Sequence, residues 1–314
     1  MKLSVIITAW KEERTIEKAL NSIINPEWND YKKEFEILIV CPDEATWNAA
    51  RNTSKKFNFD NLIRVKDEKR GKPAALNLAF KKTKGKILLL TDGDVHFGKN
   101  VISNILKHFR DKKVGGVTGR PVSADSKNRF MGYMGHLLAD AAHHKRMVTM
   151  RPDVAGKSLK IVSKKPGFFV LSGYILAMRN LGIKTPEDCL IEDAYFSYKL
   201  HNKGYTLVYE PEARVYVKYA RNIKDWFKQK LRSVGGYVQL WEYKVIKSET
   251  KVRNIWRELE YFWFPIKYSR SIKQFIWSLL IYPTRLVLWI RIFWERRVLK
   301  KSFKSTWVRV ESTK

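Results

Sequence analysis

The sequence predicts an α/β protein: a mostly parallel central sheet flanked by helices, followed by basic, aromatic, membrane-associating helices at the C-terminal end. Three observations predict it. Strand and helix signals alternate through the front half, the strand signals are short continuous apolar runs, and the acidic and glycine-bearing motifs fall where those runs end. Continuous apolar strands imply a sheet covered on both faces, and ligands of such sheets lie at the carboxyl ends of the strands.

Residues 3–9 are apolar and β-branched and read as a first buried strand. The run is too short for a signal peptide or a membrane span, and Lys11, Glu12, Glu13 and Arg14 interrupt it at once. Over 13–24 apolar residues recur at helical spacing in Ile16, Ala19, Leu20, Ile23 and Ile24, until Asn25-Pro26 stops the helix. A strand over 35–41, a helix over 45–56, a strand over 62–65, a helix over 72–82 and a strand over 86–91 continue the alternation. A helix over 101–109 and a strand over 114–119 follow. The pattern then loosens into a helix over 129–147, a basic loop over 151–167 and a strand pair over 170–178. Last come a helix over 189–203, closed by Gly204 as a C-cap, and a basic, aromatic helix over 222–245. Composition shifts near Val252, so the expected division is 1–221, 222–251 and 252–314.

With 314 residues the chain can bury a sizeable core, and 45% hydrophobic and 13% aromatic residues exclude a disordered whole. Cys41 and Cys189 lie far apart, offer no metal spacing and point to a reducing compartment. A formal charge of +30 calls for an electronegative partner: nucleic acid, anionic lipid or a polyanionic substrate. Between residues 213 and 314, 24 Lys and Arg stand against 7 Asp and Glu, together with eight of the eleven tryptophans. Cations paired with tryptophan suit a membrane interface, where the indole sits at headgroup level.

Three motifs carry chemistry. The apolar run Leu88-Leu89-Leu90 ends in Asp92-Gly93-Asp94, two carboxylates at the sheet edge that can hold Mg²⁺ or Mn²⁺, unless they form only an Asp-Gly turn. Arg70-Gly71-Lys72-Pro73 opens a helix whose N-terminus suits a phosphate, and its spacing is not that of a Walker loop. Glu192-Asp193 opens another helix, where a carboxylate either compensates the helix charge or acts as a general base. His143 and His144 are adjacent on a helix, so their side chains diverge and make a poor third metal ligand.

The order of these motifs resembles the family 2 glycosyltransferases of GT-A fold through most of residues 2–240. Ser4 to Glu13 looks like that family's opening strand and loop, with Thr8 and Lys11 in place of its usual Pro and Asn. Arg70-Gly71-Lys72 with Ala75-Leu76-Asn77 is similar to its Gly-Lys-x-x-Ala-Leu-Asn segment. Asp92-Gly93-Asp94 resembles its DxD, Glu192-Asp193 its Glu-Asp motif, and Gln229-Lys230-Leu231-Arg232 the start of Gln-x-x-Arg-Trp, with Ser233 replacing Trp. The resemblance implies that Thr8, Trp10 and Glu12 border the nucleotide and Asp43 its base. It implies Asp92 at the nucleoside or metal, Asp94 at the metal, and Lys72 and Arg120 at the phosphates. Asp193 becomes the general base, and Gln229 and Arg232 close over the pyrophosphate or the acceptor.

The resemblance further implies an inverting, metal-dependent transfer from a UDP- or GDP-sugar to a hydroxyl, with Mg²⁺ or Mn²⁺ as cofactor. The expected acceptor is a lipid-linked or membrane-proximal glycan. The alternatives are a membrane-bound synthase of free polysaccharide and a non-catalytic basic protein that binds membrane or nucleic acid. Residues 275–294 are mostly apolar but interrupted by Pro283, Arg285 and Arg291, so a pair of in-plane or re-entrant helices is expected rather than a span. The tail is therefore expected on an anionic membrane surface rather than on nucleic acid, at the cytoplasmic face, as a peripheral or monotopic protein.

Overall fold

In the computed structural model, which describes residues 3–31, 34–150, 168–246 and 261–294, strands β1 (Leu3–Thr8), β2 (Phe35–Cys41), β3 (Leu62–Lys66) and β4 (Ile87–Asp92) pair in parallel. Helices α1 (Ile16–Ile24), α2 (Glu44–Lys56) and α3 (Lys72–Phe80) return the chain between them. Side chains alternate across the strands. Val5, Ile7, Ile37, Ile39 and Leu89 pack on one side with Ile16, Leu20 and Ile23 of α1. Ile6, Leu38, Val40, Leu88 and Leu90 pack on the other side with Ala75, Leu76 and Ala79 of α3 and with Phe196 and Leu200 of α6 (Glu192–Asn202). Full burial of one such side chain contributes roughly 1.5–3 kcal/mol, so a strand covered on both faces must read as a continuous apolar run.

Beyond β4 the sheet changes character. Its full order is β3-β2-β1-β4-β7-β6-β8-β5, where β5 is His96–Phe97, β6 is Val114–Ser123, β7 is Leu176–Arg179 and β8 is Thr206–Val217. β7 runs antiparallel to both β4 and β6, β6 and β8 are parallel, and β5 closes the edge antiparallel to β8. The expected strand over 114–119 thus continues to Ser123. The expected strand pair over 170–178 is one strand, preceded by a tight turn in which Ser172 bridges Ile175. Neither β5 nor β8 is expected from the sequence. In β8, Glu210-Pro211-Glu212 interrupts the pattern with charges and with a proline that donates no ladder hydrogen bond. The register with β6 shifts there, between Thr118 and Arg120, so a bulge absorbs the proline.

Helices α4 (Val101–Leu106), α5 (Phe130–Met150) and α7 (Ile223–Glu242) complete the layers, and a 3₁₀ turn over Lys107–Arg110 replaces the end of the expected helix over 101–109. α6 starts at Glu192 rather than at 189, because Cys189 N–H closes a turn on Pro186 first. Among the described residues three further helices follow: α8 (Phe264–Tyr268), α9 (Ile272–Leu279) and α10 (Ile281–Phe293). Trp277 and Ile281 pack on Phe130, Tyr133 and Leu137 of α5, where the Tyr133 hydroxyl meets Ser278 Oγ at 2.7 Å. Leu288 and Trp289 pack on Trp226 and Leu231 of α7. No helix among the described residues is long and apolar enough to cross a membrane. The basic loop over 151–167 and the compositional boundary near 252 lie outside the described residues.

At the β6–β8 bulge, a Cβ on Gly119 would sit 2.1 Å from the carbonyl oxygen of Ala213, a backbone atom that cannot rotate away. Gly119→Ala is therefore expected to cost about 1–3 kcal/mol of stability, read as a lower urea midpoint by tryptophan fluorescence. An unchanged midpoint would show that the bulge relaxes without strain.

Candidate active site

The parallel strands deliver their C-terminal ends to one cavity. Thr8 ends β1 and Asp92 ends β4, and the two are register partners whose side chains meet: Thr8 Oγ1 donates to Asp92 Oδ1 at 2.8 Å. Lys72, the first residue of α3, reaches the same oxygen at 2.6 Å and Glu192 Oε1 at 3.1 Å. Trp10, Glu12, Asp94, Gln229 and Arg232 line this cavity with them. A Cβ on Gly93 would stand 2.3 Å from Glu12 Oε2 and 2.8 Å from Ala9 Cβ, so glycine between the two aspartates lets the first loop close against them. That loop is held from α2. Lys11, left-handed at φ 53°, donates its N–H to Asp43 Oδ2 at 3.0 Å, and Glu12 N–H donates to Thr46 Oγ1 at 2.9 Å.

A second cavity opens beside the first and is lined by Asp193, Glu192, Gly173, Arg146, Ser233 and Tyr237. Lys72, Asp92, Tyr174 and Arg232 line both cavities. Asp193 is fixed by two backbone donors: Gly173 N–H reaches Oδ2 at 3.0 Å and Ala194 N–H reaches Oδ1 at 2.8 Å. The segment leading into α6 is clamped to α7. Gln239 accepts from Leu190 N–H at 2.9 Å and donates to the Asp188 carbonyl at 2.7 Å. Gly236 leaves room for Ile191, whose Cγ1 would lie 2.5 Å from a Cβ there.

Charge is shared unevenly. Burial, helped by the neighbouring Glu192 carboxylate, raises the pKa of Asp193 above the ordinary carboxylate range, while Lys72 pulls the other way. For Lys72, burial disfavours the ammonium, but Asp92 and Glu192 outweigh it and hold the pKa well above that of a free lysine. Burial also raises Tyr174, reinforced by Asp94 and Asp92, so its hydroxyl stays protonated.

Of the residues singled out from the sequence, Thr8, Trp10, Glu12, Lys72, Asp92, Asp94, Gln229 and Arg232 come together in the first cavity, with Asp193 in the second. Two do not join them. Asp43 caps α2, accepting from Thr46 N–H at 2.9 Å, and its other oxygen accepts from Lys11 N–H. Arg120 turns instead to Asp140 of α5, 3.0 Å away, whose other oxygen accepts from the Tyr268 hydroxyl at 2.7 Å. The structure adds Asp67, Lys69 and Lys218 to the first cavity, Arg146 to the second and Tyr174 to both. Asp67 directly follows β3, and the strand-end rule could have found it. Tyr174 and Arg146 carried no such signal, since one arrives by the turn before β7 and the other from the far end of α5.

His143 is no metal ligand here: Nδ1 meets the Tyr209 hydroxyl at 2.8 Å, and burial, with Arg120 nearby, lowers its pKa to about 4. Among the described residues no cluster of three His, Cys, Asp or Glu side chains forms a closed cage. The donor set still fits one kind of ion. Mg²⁺ or Mn²⁺ takes one or two protein carboxylates and completes its shell with phosphate oxygens and water, and Asp92 and Asp94 are hard oxygen donors beside lysine and arginine.

A strand-end carboxylate pair, bridged by lysine to a second acidic motif on a mixed α/β sheet, is the arrangement that the resemblance to the GT-A class implies. The family model described as "Glycosyltransferase like family 2" matches residues 2–236, and the chain belongs to that family. It is 26% identical over 238 residues to the poly-beta-1,6-N-acetyl-D-glucosamine synthase of Staphylococcus aureus, covering 74% of this chain and 54% of the synthase. The synthase of the same name from Staphylococcus epidermidis is 23% identical over 239 residues. The chain spans about half the length of the curated relatives it matches.

Among solved structures, the mannosyltransferase PcManGT of Pyrobaculum calidifontis, in complex with GDP-Man and Mn²⁺, superposes with a TM-score of 0.62 at 17% identity, over 95% of this chain and 88% of that one. Residues 1–349 of TarS from Staphylococcus aureus follow at a TM-score of 0.51 and 19% identity, over 87% of this chain and 74% of that one. These likenesses establish the GT-A fold.

Because Lys72 lowers the pKa of Asp193, Lys72→Met is expected to move the titration of Asp193 to still higher pH. The shift is read from the ¹³C resonance of its carboxyl carbon. An unmoved titration would show that the lysine charge does not reach this carboxylate.

Proposed function

We propose that this chain moves a sugar from a nucleotide-sugar, UDP- or GDP-linked, to a hydroxyl of a lipid-linked or membrane-proximal acceptor, with inversion at the anomeric carbon. One observation carries the reading: the cavity of Asp92 and Asp94 and the cavity of Asp193 share a wall made of Lys72, Asp92, Tyr174 and Arg232. A sugar at that wall meets the strand-end carboxylates on one side and a general base on the other. Asp92 and Asp94 would hold Mg²⁺ or Mn²⁺, which supplies charge neutralisation for the diphosphate.

The chain's own residues do the rest. Thr8, Trp10, Glu12 and Asp67 border the nucleoside, while Lys72, Gln229 and Arg232 face the diphosphate. Asp193 takes the proton of the acceptor hydroxyl as its oxygen attacks the anomeric carbon, and the diphosphate departs with the bonding electron pair from the opposite face. Binding of nucleotide-sugars by the relatives' class supports the donor, since PcManGT was solved with GDP-Man and Mn²⁺.

The membrane part of the proposal rests on α9 and α10. Ile272, Phe275, Ile276, Leu279 and Leu280 fall on one helical face, and Leu286, Val287, Ile290 and Trp294 on another, all at least 40% exposed. Soluble surfaces seldom leave so many large apolar side chains open, and Lys267, Arg270, Lys273, Arg285 and Arg291 add positive charge along the same stretch of chain. We place the protein on an anionic, cytoplasm-facing membrane surface rather than on nucleic acid.

Asp193→Asn keeps the size and removes the basicity. Nucleotide-sugar affinity should survive while transfer in Mn²⁺ falls by about 10²-fold or more. In the unaltered chain the base must be ionised, so the raised pKa of Asp193 puts the acid limb of the rate profile above the range of an ordinary carboxylate. Near-normal transfer by the variant, or an acid limb at ordinary carboxylate pH, would remove Asp193 from the role.

For the membrane, the full chain should float with anionic liposomes at low salt and remain partly bound at molar salt. The triple variant Leu286→Ser, Val287→Ser, Ile290→Ser should lose the salt-resistant part. Equal retention by both would place the contact elsewhere.

A further inference from the structure

Some of the described cations nearest the reaction are answered by carboxylates, and others, Arg232 and Arg146 among them, are not. Lys72 sits between Asp92 and Glu192, and Arg120 is matched by Asp140. Arg146, near the end of α5, lines the cavity of Asp193 and makes no ion pair or hydrogen bond among the described residues. Its one contact is a ring: the guanidinium carbon lies 5.6 Å from the centroid of Tyr209.

The groups facing it offer no counter-ion. From β8 comes the Tyr209 hydroxyl, which is already engaged with His143, and just after β8 comes Tyr219. From α6 comes Asp193, close enough to be felt by Arg146 but beyond ion-pair reach, with its oxygens on the Gly173 and Ala194 N–H groups. Tyr237 and Arg232 of α7 complete the surround. Burial opposes the charge of Arg146, and a guanidinium cannot relieve that cost by deprotonating. Arg146 lines the open cavity of Asp193, where an anion would answer its charge directly. The five N–H donors of a guanidinium form a planar fork that matches phosphate oxygens two at a time.

The position of Arg146 says more. It also lines a third, mostly apolar cavity between α5 and α7, with walls of Met131, Met134, Leu138 and Trp226 together with Gln229 and Lys230. The guanidinium therefore stands where a polar cavity holding the general base meets an apolar one.

We propose that the acceptor carries a phosphate that Arg146 receives, beside the hydroxyl that is glycosylated. The assignment rests on the reading of the Asp193 cavity as the acceptor side. A phosphate on a lipid chain and a phosphate on a water-soluble glycan offer the same oxygens to the fork. The apolar cavity favours the lipid, whose first carbons would lie among the α5 methionines.

The test uses the full chain, as wild type, Arg146→Met and Arg146→Lys, with Mn²⁺ and saturating UDP or GDP filling the first cavity. Glycerol 1-phosphate is titrated against glycerol by calorimetry, and farnesyl phosphate against farnesol in neutral detergent micelles. The wild type should prefer the phosphate of each pair by at least about tenfold, which is the scale of a single charge-assisted contact. Arg146→Met should lose that preference, Arg146→Lys should keep part of it, and nucleoside diphosphate affinity should not change.

No preference in the wild type, or one retained by Arg146→Met, overturns the proposal. So does weakened nucleoside diphosphate binding in Arg146→Met, since the arginine would then serve the donor. Tighter binding of farnesyl phosphate than of glycerol 1-phosphate assigns the lipid source, and equal binding assigns the soluble one; both uphold the phosphate. A wild type that binds neither nucleoside diphosphate sinks the transferase reading instead, and the same titrations without nucleotide still decide the role of Arg146.

Discussion

Lys72 holds its ammonium 2.6 Å from Asp92 and 3.1 Å from Glu192, and both halves of the site depend on that bridge. Asp92 ends a strand of the parallel half of the sheet, whereas Glu192 opens the helix packed over its other half. Without a cation between them, two carboxylates beside the already raised Asp193 would repel one another in a partly dry site. With it, the lysine holds the two acidic motifs around one ammonium. The lysine's own place follows from Gly71, whose φ of 102° turns the chain from β3 into α3, and from Pro73, which suits a first helical turn.

The sheet explains why such a bridge can exist. Four parallel strands place Thr8, Asp67 and Asp92 on one edge, because every parallel strand points its carboxyl end the same way. The reversal at β7 then brings the turn holding Gly173 and Tyr174 back over that edge. Gly173 N–H thus fixes Asp193, and Tyr174 stands in the wall between the two cavities. The two neighbouring cavities are therefore consequences of one topological event: the change from parallel to antiparallel pairing beside β4.

Charge plays two separate parts in this chain. Within the site Lys72 is set between two carboxylates, while Arg232 and Arg146 are not paired with one, and the proposed acceptor phosphate would answer Arg146. Over α8 to α10 the cations border open apolar faces instead, while the opposite faces of the same helices are consumed in packing on α5 and α7. A net charge of +30 says nothing about this division.

What the sequence alone determined was local. Apolar runs of period two or of continuous burial, and helical spacing of the kind seen in Ile16, Leu20 and Ile23, are properties of adjacent residues, so β1 to β4 and α1 to α3 were legible with small errors at their ends. The strand-end and helix-start motifs were legible for the same reason, and the family followed from their order. Tertiary structure decided which charges meet. Arg120 is paired with Asp140 of α5, and Asp43 caps α2 and holds Lys11, partners that no local pattern announces. β8 was hidden by Pro211, whose cost only a bulge against β6 can absorb. Arg146 was one cation among many until the fold set it at a cavity wall with no carboxylate in reach. A side chain's partner is fixed by the packing of elements far apart in the chain, and local periodicity carries no information about that distance.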